Sequence, residues 1–260
     1  MKPLILNYSE YGVIENPPLI ILHGFLGSSK NWMTIGKILS ENFRVITVDL
    51  RNHGDSFHHD QHTYEDMLDD VIHLMDHLKI DKVLMMGHSM GGKVVMKLAC
   101  NYPNRLFKLV VVDIAPKQYF PHRKEIVSMQ AIDLQNLKNR QVAEEQLSID
   151  IPDLGLRKFL LTNLAQDAEG RFRWKVNLAV FSKEIPQLGG NPILETEKYL
   201  GETLFILGAK SDFVKEFDYP IIYKHFPKAE IEVIENSDHN PHFTAREKFL
   251  EILVPFLNHI

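Results

Sequence analysis

The chain has 260 residues, of which 45% are hydrophobic, 24% charged and 10% aromatic, and this composition excludes disordered, collagen-like and coiled-coil proteins. Its formal net charge of −5 argues against a partner made of nucleic acid. A single cysteine, Cys100, excludes an internal disulfide and a multi-cysteine zinc site. Apolar runs such as Leu19–Leu22 are far shorter than the roughly 20 residues of a membrane span, and the N-terminus has no signal-peptide pattern. We therefore expect a cytoplasmic protein without a membrane span.

Strand and helix patterns alternate over the first 116 residues. Thr63, with Asp66 three residues later, predicts a capping box at the start of one helix. Strands that alternate with helices of 10 to 15 residues favour a parallel sheet with right-handed crossovers. The predicted strands lie at Leu19–Leu22, Phe43–Val48, Lys82–Met86 and Leu109–Val112.

The middle of the chain differs from the two ends. Lys117 to Leu200 shows helical spacing of apolar residues and no convincing strand, whereas strands return at Thr203–Leu207 and Ile231–Ile234, before a closing helix. The simplest architecture is an α/β protein with a mostly parallel central sheet flanked by helices. We expect a core made of residues 1–116 and 201–260, and a helical insertion at 117–200.

A G-x-S-x-G motif stands at residues 87–91, with Ser89 in its centre. The motif alone is a weak signal, but here it follows a predicted strand and opens the helix Met90–Asn101, which is the context that a nucleophilic serine requires. Glycines beside the serine permit a strained turn and close approach of neighbouring backbone. We therefore interpret Ser89 as a nucleophile.

A serine hydroxyl needs a base and an oxyanion hole. His239 follows the last predicted strand and is the expected base, with His242 as a rival. The backbone N–H of Met90, directly after the serine, would supply one oxyanion donor. The turn after the first predicted strand, His23–Gly27, would supply the other from Phe25.

Three segments together resemble those of a known family: R-N-H-G at 51–54, G-H-S-M-G-G-K at 87–93 and V-V-D-I-A-P at 111–116. With the order serine, acid, histidine, they resemble the α/β-hydrolase superfamily, and within it the YbfF-type bacterial esterases and the similar abhydrolase-domain 11 group. The resemblance implies an α/β-hydrolase fold with a helical cap. It also implies hydrolysis of esters and acyl-CoA thioesters without metal or cofactor, and a loop-stabilising role for Arg51 and His53.

The acid that orients His239 could be either of two aspartates. Asp212 follows the Thr203–Leu207 strand, the usual position in the superfamily, but Ser211 stands at the place of the usual G-x-x-D acid. Asp113 ends the preceding strand and matches the acid of the YbfF-type family, in which a serine at the later position assists. We predict Asp113 as the acid, Ser211 as a supporting partner and Asp212 as the reserve.

The insertion would cover the nucleophile and set specificity, with an apolar acyl pocket. Tyr119, Phe159, Trp174 and Phe181 are the predicted substrate-binding residues. Further candidates for the lining are Phe120, Leu160, Phe172 and Leu178.

Two groups of histidines, His58-His59-Asp60 with His62 and the pair His73 and His77, could hold a metal. The first group is better interpreted as part of a polar loop and the second as a solvated helix face, because the pair has no specified third ligand and the chemistry assigned to Ser89 needs no metal. Cys100, at the C-terminal end of the helix after the serine, is expected to be a structural thiol without a low pKa.

These observations predict a serine hydrolase that cleaves short- to medium-chain esters or acyl thioesters through an acyl-enzyme. The alternatives are a C–C bond hydrolase or lyase on the same triad, and a ligand receptor that kept the fold without turnover. The sequence gives no indication of the oligomeric state, the physiological substrate or its chain length.

Overall fold

A computed structural model describes residues 4–119 and 123–258. Seven strands form one sheet in the order β1-β3-β2-β4-β5-β8-β9, in which every neighbouring pair is parallel except β1 with β3. The strands of this sheet are β1 (Tyr8–Tyr11), β2 (Pro18–Leu22), β3 (Arg44–Val48), β4 (Val83–His88), β5 (Leu106–Val112), β8 (Thr203–Gly208) and β9 (Ala229–Ile234). A separate antiparallel pair comprises β6 (Leu164–Gln166) and β7 (Phe172–Trp174).

Helices connect the strands and pack on both faces of the sheet. Among the described residues, α2 begins at the predicted capping box, in which Thr63 Oγ1 accepts from the Asp66 N–H and the Asp66 carboxylate accepts from the Thr63 N–H. The helices are α1 (Met33–Leu39), α2 (Tyr64–His77), α3 (Met90–Asn101), α4 (Arg123–Gln130), α5 (Arg140–Ser148), α6 (Leu154–Leu161), α7 (Leu178–Leu188), α8 (Tyr219–His225), α9 (Pro241–Thr244) and α10 (Arg246–Asn258).

The hydrophobic core lies on both faces of the sheet, because alternate residues of a strand point in opposite directions. In β2, Ile20 and Leu22 belong to a cluster covered by α2 and α3, whereas Leu19 and Ile21 belong to a second cluster covered by α1 and α10. Burial on both faces explains why these strands appear as continuous apolar runs in the sequence. The predicted α/β fold with a mostly parallel sheet is confirmed.

The structure adds one strand that the sequence did not predict and corrects one expectation. β1 was missed, because this edge strand is only partly buried and carries the polar sequence Y-S-E-Y. The stretch Lys117–Leu200 does contain strands, since β6 and β7 form a hairpin there. Each of these two strands has three residues, which is too short for an alternating pattern to be recognised.

The segment predicted as an insertion has a hydrophobic cluster of its own, built from α4 to α7 and the hairpin. Leu26 and the half-buried Phe25 beside it, both from the turn after β2, also pack in this cluster. The division into a core and a cap at residues 117 and 200 stays a prediction. Phe120, a candidate for the lining, lies outside the described residues.

No helix within the described ranges is long and apolar enough to cross a membrane. The same ranges contain no group of three or more His, Cys, Asp or Glu side chains arranged to hold a metal ion.

Candidate active site

Ser89 lies in the sharp turn between β4 and α3, at the centre of the sheet. Its backbone has φ 52° and ψ −116°, in the left-handed region that residues with a side chain rarely adopt. A Cβ at Gly87 would lie 2.3 Å from the Gly91 carbonyl oxygen, and a Cβ at Gly91 would lie 2.5 Å from the His23 carbonyl oxygen. Both glycines are therefore required by the close approach of α3 to the strands.

Three of the non-glycine residues with positive φ lie around this turn. They are Leu26 (57°), Ser89 (52°) and Asp113 (50°), which follow β2, β4 and β5 respectively. Each such conformation costs on the order of 1 kcal/mol and persists only where the surrounding structure enforces it. Their clustering at the carboxyl ends of neighbouring parallel strands marks this edge as a candidate site.

Asp113 is fully buried and contacts His239. Its Oδ2 lies 2.7 Å from His239 Nδ1, so the neutral imidazole carries its proton on Nδ1 and leaves Nε2 as an acceptor. The Gly208 N–H donates to Asp113 Oδ1 at 2.9 Å, and the Ser211 hydroxyl donates to Asp113 Oδ2. These bonds compensate the loss of water around the carboxylate.

Asp212, the reserve acid, points away from this group. Its side chain is 96% exposed and pairs with Lys215 at 3.0 Å. Ser211 and Asp212 are successive residues, and only the first faces Asp113. The sequence offered two aspartates as the partner of His239, and in the structure Asp113 is the one that contacts it.

His239 is fixed by two further residues that sequence reasoning missed. Phe213 stacks on the imidazole with ring centroids 3.7 Å apart and an angle of 13° between the planes. His88, the residue before Ser89, places Nε2 at 2.7 Å from the His239 carbonyl oxygen. Because a carbonyl oxygen can only accept, His88 must donate from Nε2. Burial, followed by the nearby His239, lowers the pKa of His88 well below its usual value, which keeps its ring neutral.

His242, the rival base, is buried below the site. Its ring stacks on Trp32 with centroids 4.0 Å apart. Burial, with a smaller effect from His239, lowers its pKa to about 3. His242 thus lies on the buried side of α9, packed against Trp32.

The turn after β2 is shaped by two buried histidines. His23 donates from Nδ1 to the Gly24 carbonyl at 2.7 Å, and its Nε2 accepts from the Leu50 N–H at 3.0 Å. His53 accepts from the Leu26 N–H at 3.2 Å. Burial is the main reason why the pKa of each imidazole is lowered, so both act as neutral hydrogen-bonding groups.

Phe25 and Met90 line one cleft together with Ser89. Met90 is the first residue of α3, where a backbone N–H has no partner within the helix. The cleft has a volume of about 500 Å³ that includes open solvent, and most of its walls are apolar. Its lining residues are Phe25, Tyr64, Ser89, Met90, Lys93, Ile114, Tyr119, Ile185, Leu188, Gly189 and Phe213.

Comparison with known proteins now places this fold and cleft in a family. Residues 17–245 match the family described as the alpha/beta hydrolase fold. The chain belongs to the α/β-hydrolase family. It is 37% identical to the sn-1-specific diacylglycerol lipase ABHD11 of Danio rerio, over 98% of this chain and 83% of that protein. It is 31% identical to Esterase YbfF of Escherichia coli (strain K12), over 94% of each chain.

A solved structure described as a marine microorganism esterase is also similar, with a TM-score of 0.94 and 34% identity over 98% of this chain and all of that one. The resemblance to YbfF-type esterases and the abhydrolase-domain 11 group is thereby confirmed. The protein is an esterase- or lipase-type α/β-hydrolase.

Of the four substrate-binding residues predicted for this α/β-hydrolase, one lines the cleft and three do not. Tyr119 lines it, whereas Phe159 and Trp174 pack against the cluster of the insertion and Phe181 is buried within it. Phe181 contacts Phe25 edge to face at 5.0 Å and so supports the wall from behind.

Two other residues singled out in the sequence, Arg51 and Cys100, do not line the cleft. Arg51 donates from Nε to Asp70 Oδ2 at 2.5 Å and lies 3.2 Å from Asp66, which holds the loop after β3 against α2. Burial raises the pKa of Cys100 to about 12, so this α/β-hydrolase keeps its single thiol protonated.

Proposed function

We propose that this hydrolase cleaves carboxylic esters and acyl thioesters of short to medium acyl chain through an acyl-enzyme at Ser89. The observation that carries the proposal is the buried hydrogen bond between Asp113 and His239 at 2.7 Å, beside a serine on a strained turn. This bond selects the tautomer in which His239 Nε2 can accept the Ser89 proton. Asp113 is the proposed acid, and the Ser211 hydroxyl supports it by donating to Oδ2, the oxygen that contacts His239.

The proposed reaction has two halves. Ser89 Oγ attacks the acyl carbonyl carbon while His239 Nε2 takes the hydroxyl proton, and the N–H groups of Phe25 and Met90 stabilise the oxyanion. The intermediate collapses, and His239 gives its proton to the departing alcohol or thiol. Water then attacks the acyl-enzyme with His239 as base, which releases the carboxylic acid and restores Ser89.

The apolar walls of the cleft favour an acyl chain as their occupant. Residues 117–200 are proposed as a cap, because Tyr119, Ile185, Leu188 and Gly189 come from this segment and line the cleft opposite Ser89. One relative is named as a diacylglycerol lipase, and we extend the ester substrates to acyl-CoA thioesters because both present an acyl carbonyl to the nucleophile. The cytoplasmic location expected from the sequence stays a prediction.

The test compares the wild type with Ser89→Ala. We expect the wild type to react with a fluorophosphonate and to release p-nitrophenol from p-nitrophenyl butanoate, and the variant to do neither. Ser148→Ala, on the exposed surface of α5, is the matched control and should behave as the wild type. Fluorophosphonate labelling that persists in Ser89→Ala would show that another serine is the nucleophile.

A panel of acyl-CoA thioesters and p-nitrophenyl esters of equal acyl chains then tests the substrate classes. A receptor without turnover would show no release of p-nitrophenol and no labelling. Turnover of the esters alone would restrict the proposal to carboxylic esters.

A further inference from the structure

Lys93 lies in the wall of the cleft, one helical turn after Ser89 on α3. Its side chain is buried, with 2% of the residue exposed, and it has the one charged side chain among the described residues that line the cleft. Its backbone N–H donates to the Ser89 carbonyl. Ser89 and Lys93 line the same cleft, so an acyl chain bound with its carbonyl at Ser89 can extend along this cleft toward Lys93.

The ammonium group of Lys93 has two hydrogen-bond acceptors. Nζ donates to the Gly189 carbonyl at 3.1 Å and the Gly190 carbonyl at 2.5 Å. It also lies 4.8 Å from the ring centre of Tyr119 and 5.6 Å from that of Tyr64. An ammonium has three N–H donors, so one remains for a ligand in the cleft.

The other buried basic side chains of the described residues are all paired with a carboxylate at 3.0 Å or less, whereas Lys93 has no carboxylate partner within these residues. A buried charge is normally compensated by an opposite one. Burial lowers the pKa of Lys93 to about 7, which reflects the missing compensation. The paired residues are Arg44 with Glu10, Arg51 with Asp70, Lys97 with Glu65 and Lys108 with Glu202.

We propose that Lys93 is a specificity-determining residue that binds a carboxylate at the far end of the acyl chain. The enzyme then prefers monoesters or monothioesters of dicarboxylic acids over neutral acyl groups of equal length. This inference rests on the proposed function, since it assigns the acyl group a direction from Ser89 into the cleft. The ligand carboxylate supplies the counter-charge and accepts the third N–H of Lys93.

A purely structural role for Lys93, tying the end of α7 to the core, explains less. The Tyr64 hydroxyl donates to the Leu188 carbonyl at 2.7 Å, and Lys97 Nζ donates to the Pro192 carbonyl at 3.0 Å. The segment after α7 is therefore held on both sides of Gly189. A purely structural role would also leave the Lys93 ammonium without a counter-ion and its third N–H without an acceptor.

The test measures kcat/KM for mono-p-nitrophenyl adipate and p-nitrophenyl hexanoate, which have acyl chains of equal length, at constant ionic strength. Adipate is chosen because its carboxylate reaches its own ester less readily than that of succinate or glutarate. Since a hydrogen bond to a charged group contributes about 1.5 to 3 kcal/mol, the wild type should favour adipate by about tenfold or more. Lys93→Met, which keeps the apolar stem, should lose this preference, and Lys93→Arg should retain part of it.

Lys97→Met is the matched control, because Lys97 lies one turn further along α3, is buried and does not line the cleft. It should keep the wild-type ratio of the two rates. A wild type that favours hexanoate or treats both esters alike overturns the inference and leaves the proposed function intact. A wild type that hydrolyses neither ester overturns both, and absence of fluorophosphonate labelling identifies that case.

Discussion

The two sides of the active-site cleft are built by different means. On the sheet side, Ser89, Asp113 and His239 are fixed by strained backbone turns and by hydrogen bonds that leave little freedom. On the side of the insertion, the wall is mostly apolar: Ile185 belongs to a separate hydrophobic cluster, and Tyr119 and Leu188 pack against the core of the sheet. The first kind of construction depends on particular atoms, whereas the second depends on volume and shape. We therefore expect substitutions on the sheet side to affect the chemical step and those on the other side to affect substrate choice.

The largest effect is expected at Asp113. Asp113→Asn should reduce kcat by about 10⁴-fold with the fold intact, because an amide can hold His239 in the tautomer that cannot accept the Ser89 proton. Steady-state kinetics with p-nitrophenyl butanoate measure kcat, and circular dichroism checks that the fold is intact. Asp212→Asn, at an exposed neighbouring carboxylate, is the control and should remain near the wild type. The reverse order of the two variants would assign the acid to Asp212.

This sheet side is also the part that the sequence predicts well. Parallel strands buried on both faces form continuous apolar runs, and the strand–turn–helix around Ser89 follows from glycines that the close packing of α3 requires. The choice between Asp113 and Asp212 depended on one residue of register, since Ser211 occupies the inward position. Ser211 lies in a turn after β8, where its N–H donates to the Gly208 carbonyl and its hydroxyl donates to Asp113.

The lining of the cleft was predicted less well. Aromatic residues of the insertion suggested an acyl pocket, yet three of the four predicted residues, Phe159, Trp174 and Phe181, pack within the insertion, and the fourth, Tyr119, lines the cleft. A sequence shows that a residue is apolar but not which of two neighbouring hydrophobic surfaces it covers. Lys93 carried a recognisable signal, namely a lysine one turn after Ser89 in a helix, α3, that is mostly apolar.

A second comparison concerns pH and two buried neutral histidines, of which His62 contacts Phe181 of the insertion and His242 contacts Trp32 on the sheet side. Burial lowers the pKa of His62, beside Phe181, and of His242, beside Trp32, to about 3 from 6.5. The unfolded chain therefore binds more protons below pH 6.5, and stability that is complete above this pH is lost as the pH falls toward 3. Each histidine contributes about 1.4 kcal/mol per pH unit, so the pair should lower the free energy of unfolding by about 3 kcal/mol per unit.

Urea denaturation at a series of pH values below 7 measures this slope. His242→Phe, which can keep the stack on Trp32, and His62→Phe should each reduce it by about 1.4 kcal/mol per pH unit. His73→Gln, on the exposed face of α2, is the control and should leave the slope unchanged. A slope that neither phenylalanine variant alters would contradict the neutral, buried state of these rings.

A smaller effect is expected at His88, which acts through His239 rather than on the substrate. His88→Phe removes the donor to the His239 carbonyl, and loss of one buried hydrogen bond of about 1 to 2 kcal/mol should reduce kcat about tenfold with little change in KM. His88→Gln retains an N–H donor and should recover part of the loss. Equal effects of the two variants, or an effect on KM alone, would speak against a positioning role.

The smallest effect is expected on the side of the insertion, where each added carbon of the acyl chain should raise kcat/KM by a small factor. Each CH₂ buried in the cleft can contribute up to about 0.8 kcal/mol, a factor of about four in kcat/KM, so the rate should rise from acetyl through butanoyl to hexanoyl esters until the cleft is filled. Chain lengths of about four to ten carbons should therefore be preferred over acetyl. Ile185→Ala shortens a side chain in the wall supplied by α7 and so enlarges the cleft. The acyl length with the highest kcat/KM should therefore increase. A rate that stays flat or falls from acetyl to hexanoyl, in the wild type, would exclude the apolar cleft as the acyl site and leave the roles of Asp113 and His239 untouched.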